Sequence, residues 1–462
     1  MAGIGFALQA LSRRDTLSAG FAAFMISAII SVGPWLFTVL SVAGINMATA
    51  SQTGLNALAE MRIVIIYNFA ISLVLSGPIA VITTRFLADG LYARDMKNAP
   101  GALFAALTLV LVTQAPIAIL LYCYIATLTP AMQMISIASY LVIACLWVVA
   151  VFLSALKDYI TVTVAFATGL LLSFALSLGF SQYGPEGLLG GFSIGLALTL
   201  FVLLAKILAE YPTPANNFSA LFAYFKKYPE IALSGLIYNA GIWVDKWVMW
   251  SSTEAVHPAS GLVSYPAYDG AMFAAQLTMV PSIALFVFTV ETKFFVGYRN
   301  FYRTVERHGT LAKITSAHND IIRTLSRSAT SLGLLQVTLA LFVIAISPRL
   351  LDWLDLHAGQ LGMFRLGVLG SAFHAIFLFL TIVLAYFDLR RHVLLLQCLF
   401  FAVNAGATAA TLYVGADWYG YGYFVACVVA ACAAAMMTND AVARLPYLTF
   451  ISNNPALNRR NA

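Results

Sequence analysis

Two ionisable residues stand side by side inside an apolar run that is long enough to cross a bilayer. The run, LIYNAGIWVDKWVMW at residues 236–250, contains Asp245 and Lys246. An ionisable residue at membrane depth costs roughly 2.5–3.5 kcal/mol even on lenient insertion scales, so it normally faces a bundle interior or a wet cavity. Two interpretations follow: a buried ion pair that fixes helix packing, or a polar patch that lines a transport path.

Helical spacing places the neighbours of this pair on two faces. Tyr238 shares a face with Asp245, whereas Asn239 and Trp243 share the next one with Lys246, which favours a cation–π contact. Because adjacent side chains point about 100° apart on a helix, the spacing predicts that Lys246 does not neutralise Asp245 by an i,i+4 contact. Three charged residues near the ends of other apolar runs complete the candidate path: Arg62, Asp269 and Glu291.

Composition identifies an integral membrane protein. Of 462 residues, 61% are hydrophobic and 10% are charged, against about 25% charged in a typical soluble domain. The five cysteines stand at no metal-ligand spacing, and we expect no metal or other cofactor. The sequence contains no phosphate-binding P-loop and no HExxH motif, so we expect a transporter and not an enzyme.

The apolar runs predict an all-α protein with about 12 transmembrane helices. Placing both termini in the cytoplasm puts 21 of the 25 Lys and Arg residues on the cytoplasmic side and only Arg62, Arg349 and Arg365 outside. That asymmetry fits the positive-inside rule and an even number of spans. The predicted spans are residues 18–43, 63–84, 102–124, 132–155, 160–180, 187–207, 230–250, 269–291, 328–347, 363–386, 393–414 and 420–440.

A lone histidine, His374, lies in the tenth predicted span. We expect it to be a hydrogen-bonded core residue, with a proton relay as the alternative.

A repeat at an offset of 208 residues indicates two halves with the same orientation. Gly33 and Trp35 align with Gly241 and Trp243, and the Thr-Arg-Phe at 84–86 aligns with Thr-Lys-Phe at 292–294. This pattern is typical of two six-helix lobes related by an axis along the membrane normal. The predicted organisation is an interfacial helix at 1–16, a first lobe at 17–208, a cytoplasmic linker at 209–229, a second lobe at 230–441 and a cytoplasmic tail at 442–462.

The second lobe carries a basic amphipathic insert at 293–327. Aromatic residues recur at helical spacing on one face, and Arg299, Arg303 and Arg307 occupy another. Such a segment is typical of a helix that lies on anionic lipid headgroups. The same three arginines are equally suited to docking a cytoplasmic partner, and the residues alone leave both alternatives open.

Four stretches together resemble one family. They are the opening MAGIGFALQAL, the first-span SVGPW, the seventh-span YNAGIWVDKW and the ETKFF that ends the eighth span. These residues are similar to the PelG family of exopolysaccharide transporters, which is related to the multidrug/oligosaccharidyl-lipid/polysaccharide flippases. The resemblance implies two lobes around a central cavity and a location in the bacterial inner membrane. It also implies a cytoplasmic glycosyltransferase and membrane scaffold proteins as partners, one of which binds cyclic di-GMP.

The expected function is therefore transport of a growing amino-sugar polysaccharide, Pel, for the biofilm matrix. Three alternatives remain open: a flippase for lipid-linked oligosaccharide, an ion-coupled antiporter of cationic drugs, and a membrane scaffold that anchors an enzyme through 293–327. The flippase would need cations in its path to bind a diphosphate, whereas the antiporter would use Asp245 as its binding acid. No nucleic-acid partner is expected.

Overall fold

The computed structural model describes residues 38–49, 54–153, 159–353 and 358–452. Within these ranges the regular structure is helical, and the extended pairing is a single isolated bridge between Val256 and Ser264. Ten of the described helices are long and apolar enough to cross a membrane. The protein is therefore an all-α, multi-pass membrane protein, because a helix satisfies its own backbone hydrogen bonds in hydrocarbon.

The described helices follow one another along the chain, most of them with short connections. They are α1 (Thr38–Thr49), α2 (Leu55–Ala93), α3 (Ala99–Ile119), α4 (Pro130–Leu153), α5 (Tyr159–Gly179), α6 (Gly184–Glu210), α7 (Ser219–Lys227), α8 (Pro229–Met249), α9 (Pro266–Gln276), α10 (Val280–Thr289), α11 (Phe295–Glu306), α12 (Leu311–Trp353), α13 (Leu361–Tyr386), α14 (Arg390–Val414), α15 (Tyr421–Ala443) and α16 (Leu445–Tyr447).

The count of twelve spans stays a prediction. Most of the first predicted span, the whole interfacial helix at 1–16 and residues 453–462 of the tail lie outside the described residues. The seventh span forms helix α8, but α8 is not one of the ten described helices that are long and apolar enough to cross a membrane. Its polar residues, Asn239, Asp245 and Lys246, lower its mean hydropathy.

The chain packs into two compact units. The described residues between 38 and 243, together with 250–266, belong to the first unit, and 244–249 together with the described residues between 267 and 452 belong to the second. Helix α8 therefore contributes its last turn, Val244–Met249, to the second unit. The predicted lobe boundary at 209–229 stays a prediction; that stretch contains the short helix α7, which packs within the first unit.

Neutral polar side chains join the helices of the first unit. The Gln114 amide donates to Ser76 Oγ (2.9 Å), and the Tyr140 hydroxyl donates to Gln114 Oε1 (3.1 Å). Just after α3, the Tyr122 hydroxyl donates to Asn68 Oδ1 at 2.6 Å. Since apolar helices gain little from hydrophobic burial in lipid, such interhelical hydrogen bonds help to select the pairing of α2, α3 and α4.

A glycine pair sets the crossing of α2 and α8 within the first unit. A Cβ atom on Gly77 would lie 2.5 Å from the Gly235 carbonyl oxygen, and one on Gly235 would lie 2.6 Å from the Gly77 oxygen. No real side chain fits at those distances. The two backbones touch here because both residues lack a side chain, as is common for small residues at helix crossings in membranes.

In the second unit, α9 to α11 form one helical run that packs along α12. A 3₁₀ turn at Leu277–Met279 and a π turn at Val290–Phe294 join its three helices without a loop. Both α10 and α11, and the π turn between them, contact α12. The chain reverses at residues 307–310, where His308 adopts a left-handed φ of 54°. The result is an antiparallel hairpin of two long helices.

Candidate functional site

The last turn of α8 carries Asp245 and Lys246 into the interior of the second unit. Their exposed fractions are 0% and 4%. The Lys246 ammonium lies 3.3 Å from Asp245 Oδ1 and 3.2 Å from Oδ2. The prediction that Lys246 does not neutralise Asp245 was wrong. The two side chains do leave the helix in different directions, but the four-carbon stem of lysine is long and flexible enough to bend back toward its neighbour.

A tyrosine from the next helix completes the coordination of the carboxylate. The Tyr268 hydroxyl donates to Asp245 Oδ2 at 3.1 Å. Helix α9 starts at Pro266, and the Gln360 amide donates to the Ala267 carbonyl oxygen at 2.7 Å, which holds the first turn in place. Asp269 follows Tyr268 in the first turn of this helix, where the positive end of the helix dipole stabilises a carboxylate.

His374 and Tyr423 extend this buried network from two further helices. His374 Nδ1 lies 2.8 Å from the Tyr423 hydroxyl, and both residues are buried. The expected role of His374 as a hydrogen-bonded core residue is confirmed. All five side chains are buried in the second unit, where they form two hydrogen-bonded groups: Asp245 with Lys246 and Tyr268, and His374 with Tyr423.

This set contains a carboxylate, an ammonium, an imidazole and two phenols, contributed by α8, α9, α13 and α15. Such groups are expensive at membrane depth, and their mutual contacts offset part of that cost. The arrangement bonds its own donors and acceptors in the described conformation. Any polar group that enters between these helices would find both a carboxylate acceptor and several hydrogen-bond donors.

Three other predicted path residues lie on α8 before its last turn. Tyr238, Asn239 and Trp243 are half-buried residues of the first unit. The Asn239 amide donates to the Leu73 carbonyl oxygen of α2 at 3.2 Å, beside the Gly77 crossing. Asn239 therefore contributes to helix packing. Asn239 and Lys246 were expected to share one face of the helix, but Asn239 belongs to the first unit and Lys246 to the second.

The remaining charged candidates lie apart along the chain. Arg62 is an exposed residue of α2, in the first unit. Asp269 is half-buried, and the side chain of Glu291 lies outside the described residues, although its backbone belongs to the π turn. Tyr268 and Tyr423 were not among the residues predicted from the sequence. Tyr268 had one available signal, its position beside Asp269, whereas Tyr423 had none.

Two of the three candidate docking residues lie on one face of α11, and the third, Arg307, follows its last residue. Arg299, Arg303 and Arg307 are exposed, while Phe294 and Phe301 on the opposite face are fully buried. The buried aromatic rings and the exposed arginines thus lie on opposite sides of this segment. Burial raises the pKa of the half-buried Tyr302 phenol above its ordinary value, as expected for the dry side of this helix.

Comparisons with known proteins agree with these features. A family model described as PelG, exopolysaccharide exporter (EPS-E), matches residues 1–450. A search of curated proteins finds no match.

Solved structures show the fold. An outward-facing multidrug resistance MATE family transporter of the MOP superfamily aligns over 91% of this chain and 96% of its own, with a TM-score of 0.65 and 14% identity. A MOP superfamily transporter from Pyrococcus furiosus, described as having a binding pocket of reverse polarity, aligns over 90% and 96%, with a TM-score of 0.62 and 14% identity. A MATE structure in the bent conformation aligns over 96% and 99% at a TM-score of 0.63 and 14% identity. The fold is thus that of MATE-type transporters.

Proposed function

Because the chain belongs to the PelG family of exopolysaccharide exporters, we propose that it moves a growing amino-sugar polysaccharide, Pel, across the bacterial inner membrane for the biofilm matrix. It is a multi-pass membrane transporter and not an enzyme. Support for the orientation comes from the basic residues, which place both termini in the cytoplasm under the positive-inside rule. The partners follow from the same proposal: a cytoplasmic glycosyltransferase and membrane scaffold proteins, one of them binding cyclic di-GMP.

The buried pair of Asp245 and Lys246 is the observation that carries the proposal. A polymer with ammonium groups gains from carboxylates along its path, but a tight site would stall a moving chain. A carboxylate that already holds a resident ammonium at 3.2 Å is such a weak site, because the passenger must compete with Lys246. We propose that the pair opens during transport and that Asp245 then meets the passenger.

The same geometry argues against two alternatives. A flippase for a lipid-linked diphosphate needs free cations in its path, and the Lys246 ammonium is held by Asp245. An antiporter of cationic drugs needs an acid that binds its cation tightly, and a second ammonium beside the carboxylate opposes that. A polymer that makes many weak contacts is the passenger that this pair suits best.

The test removes both charges together. The variant Asp245→Asn/Lys246→Met keeps the interior neutral, so we expect normal abundance in the membrane and reduced secretion of polymer. Both quantities are measured in the same cells, by immunoblot of membranes and by assay of extracellular polymer. The matched control is Asp440→Asn/Arg444→Gln, which removes an exposed ion pair of 2.8 Å in the second unit.

The outcomes separate transport from packing. Reduced secretion at normal abundance supports the proposed path, provided the control secretes normally. Normal secretion at normal abundance removes the pair from the path. A fall in abundance that accounts for the lost secretion assigns the pair to packing alone.

A further inference from the structure

Residues 293–327, called the hairpin below, contain α11 and the first part of α12. Helix α12 is too long to be contained in the bilayer. Helix α12 has 43 residues, which at 1.5 Å per residue makes about 64 Å, whereas the hydrocarbon core is about 30 Å thick and takes about 20 residues. Its apolar run begins after Arg327, the last charged residue before the predicted span 328–347. Residues 311–327, about 25 Å of helix, therefore extend beyond the hydrocarbon.

Helix α11 stands beside this extension. Phe301 lies in one core cluster with Ile314 and Ile321 of α12, and its ring centroid is 6.3 Å from that of His318. The π turn before α11 also contacts α12. Since α11 runs antiparallel to a helix that leaves the membrane, it extends away from the lipid surface instead of lying on it.

The base of the hairpin is held to the ends of neighbouring helices. His318 Nε2 lies 2.8 Å from the Val442 carbonyl oxygen at the end of α15. The Phe294 ring packs against Tyr386 and Phe387 at the end of α13, with centroid distances of 5.3 and 6.0 Å. These contacts use the aromatic face of α11, so that face is not free to enter a lipid monolayer. The packing of this face on the protein favours the docking alternative over a helix that lies on lipid headgroups.

The exposed side of the hairpin is strongly basic. Its exposed acids are Glu306 and Asp320, and Asp320 lies 3.7 Å from the Arg323 guanidinium. Its exposed cations are Lys293, Arg299, Arg303, Arg307, Lys313, Arg323 and Arg327.

Distance separates the cations at the tip of the hairpin from the lipid charge. Lys313 stands 15 residues before Ser328, about 22 Å along the helix. The headgroup layer takes up about 5–8 Å of that distance, and the Debye length at physiological ionic strength is about 8 Å. Anionic headgroups are screened at the tip, so their attraction does not account for Arg307 and Lys313.

We propose that the hairpin, residues 293–327, is a docking surface for the acidic face of a cytoplasmic protein. Opposite charge steers such an encounter and fixes its register. On α12 the exposed residues Ala312, Thr315, Ser316 and Asn319 form a strip of small side chains between the exposed Leu311 and Arg323. The strip lets a partner approach the helix closely, and the basic residues around it select an acidic one. This inference holds whatever polymer the protein transports.

The first measurement tests whether lipid or water surrounds the tip. The full chain is reconstituted in nanodiscs of neutral lipid or of lipid containing phosphatidylserine, with Arg307→Cys labelled by a membrane-impermeant maleimide and Cys123 and Cys432 replaced by alanine. We expect the same labelling rate, within about twofold, in both nanodiscs. Strong protection by phosphatidylserine would place the hairpin on the membrane and overturn the proposal.

The second measurement tests the partner chemistry, with a fluorescent Glu-rich helical peptide as the probe. We expect the variant Arg299→Glu/Arg303→Glu/Arg307→Glu to bind the probe about tenfold more weakly. The variant with three Gln substitutions at the same positions should bind the probe with an affinity between those of the unchanged protein and the Glu variant. The control Lys226→Glu/Lys227→Glu reverses two exposed lysines of α7 and should change binding less than about twofold. If the reversal and control variants lose equal affinity for the probe, or if neither loses any, the hairpin is not the docking site for an acidic partner.

Discussion

Asp245 and Lys246 form an ion pair that requires two adjacent side chains to bend toward one another. Side chains at i and i+1 do not normally face each other on a helix. Here both side chains are buried, so leaving the two charges apart would be costly. Tyr268 then stabilises the carboxylate with a hydrogen bond of 3.1 Å.

Removing only one charge of this pair should destabilise the protein. Lys246→Met leaves the Asp245 carboxylate buried with the Tyr268 hydroxyl, and an uncompensated buried charge costs about 3–5 kcal/mol. We expect a clear fall in the thermal unfolding temperature of the purified protein in detergent. Adding Asp245→Asn to this variant should recover most of the loss.

Asp245→Asn alone is expected to lower stability as well, since it leaves the Lys246 ammonium without its carboxylate. If the two single variants and the double variant all unfold at the temperature of the unchanged protein, the pair has no structural role.

Helix crossings in the first unit depend on small residues at particular positions. Gly77 and Gly235 let the backbones of α2 and α8 touch, and the Asn239 amide donates to α2 close to this point. In a bilayer this close contact replaces the hydrophobic effect as a source of helix association. The seventh span is thus held along its first half by packing and at its last turn by charge.

Gly77→Ala should weaken the crossing of α2 and α8. The added Cβ would lie 2.5 Å from the Gly235 oxygen, which is backbone and cannot move away alone. Overpacking of this kind costs about 1–3 kcal/mol, and we expect a lower unfolding temperature.

The matched control is Gly406→Ala, an exposed position of α14 where nothing lies within 4 Å of the new Cβ. It should be neutral or stabilising, because alanine favours a helix by about 1 kcal/mol over glycine. Equal effects at Gly77 and Gly406 would mean that the α2–α8 contact does not determine stability.

The orientation of the whole chain in the membrane stays a prediction from its basic residues. The predicted topology puts 21 of the 25 Lys and Arg residues on the cytoplasmic side of the membrane, and the hairpin carries seven of them. A protein inserted the other way would have to translocate these charges. The docking surface proposed for the hairpin requires that side to be the cytoplasm.

Fusions of alkaline phosphatase test this orientation at two loops. A fusion after Gly309, in the turn of the hairpin, should be inactive because the enzyme stays in the cytoplasm. One after Pro258, in the connection between α8 and α9, should be active. Both positions lie between helices, so neither fusion interrupts a span. The opposite pattern of activity would reverse the topology and remove the docking surface from the cytoplasm.

The sequence by itself determined that the protein is an α-helical membrane transporter of this family. Hydrocarbon admits only segments that satisfy their own backbone hydrogen bonds, so long apolar runs such as 361–386 become helices whatever surrounds them. Asp245 and Lys246 stand out for a related reason, because a charge in an apolar run is conspicuous before any fold is known. The amphipathic character of α11 is also readable from the sequence, since the spacing of Phe294 and Phe301 is a local property.

Only the tertiary structure decided what those residues contact. Tyr268 reaches the Asp245 carboxylate from α9, and His374 and Tyr423 meet in a buried hydrogen bond from helices up to 178 residues away from Asp245 along the chain. No local pattern encodes these contacts. Likewise, an aromatic face next to a basic face fits lipid and protein equally well. The structure assigned the aromatic face of α11 to the protein interior because α12 offers Ile314 and Ile321 as packing partners.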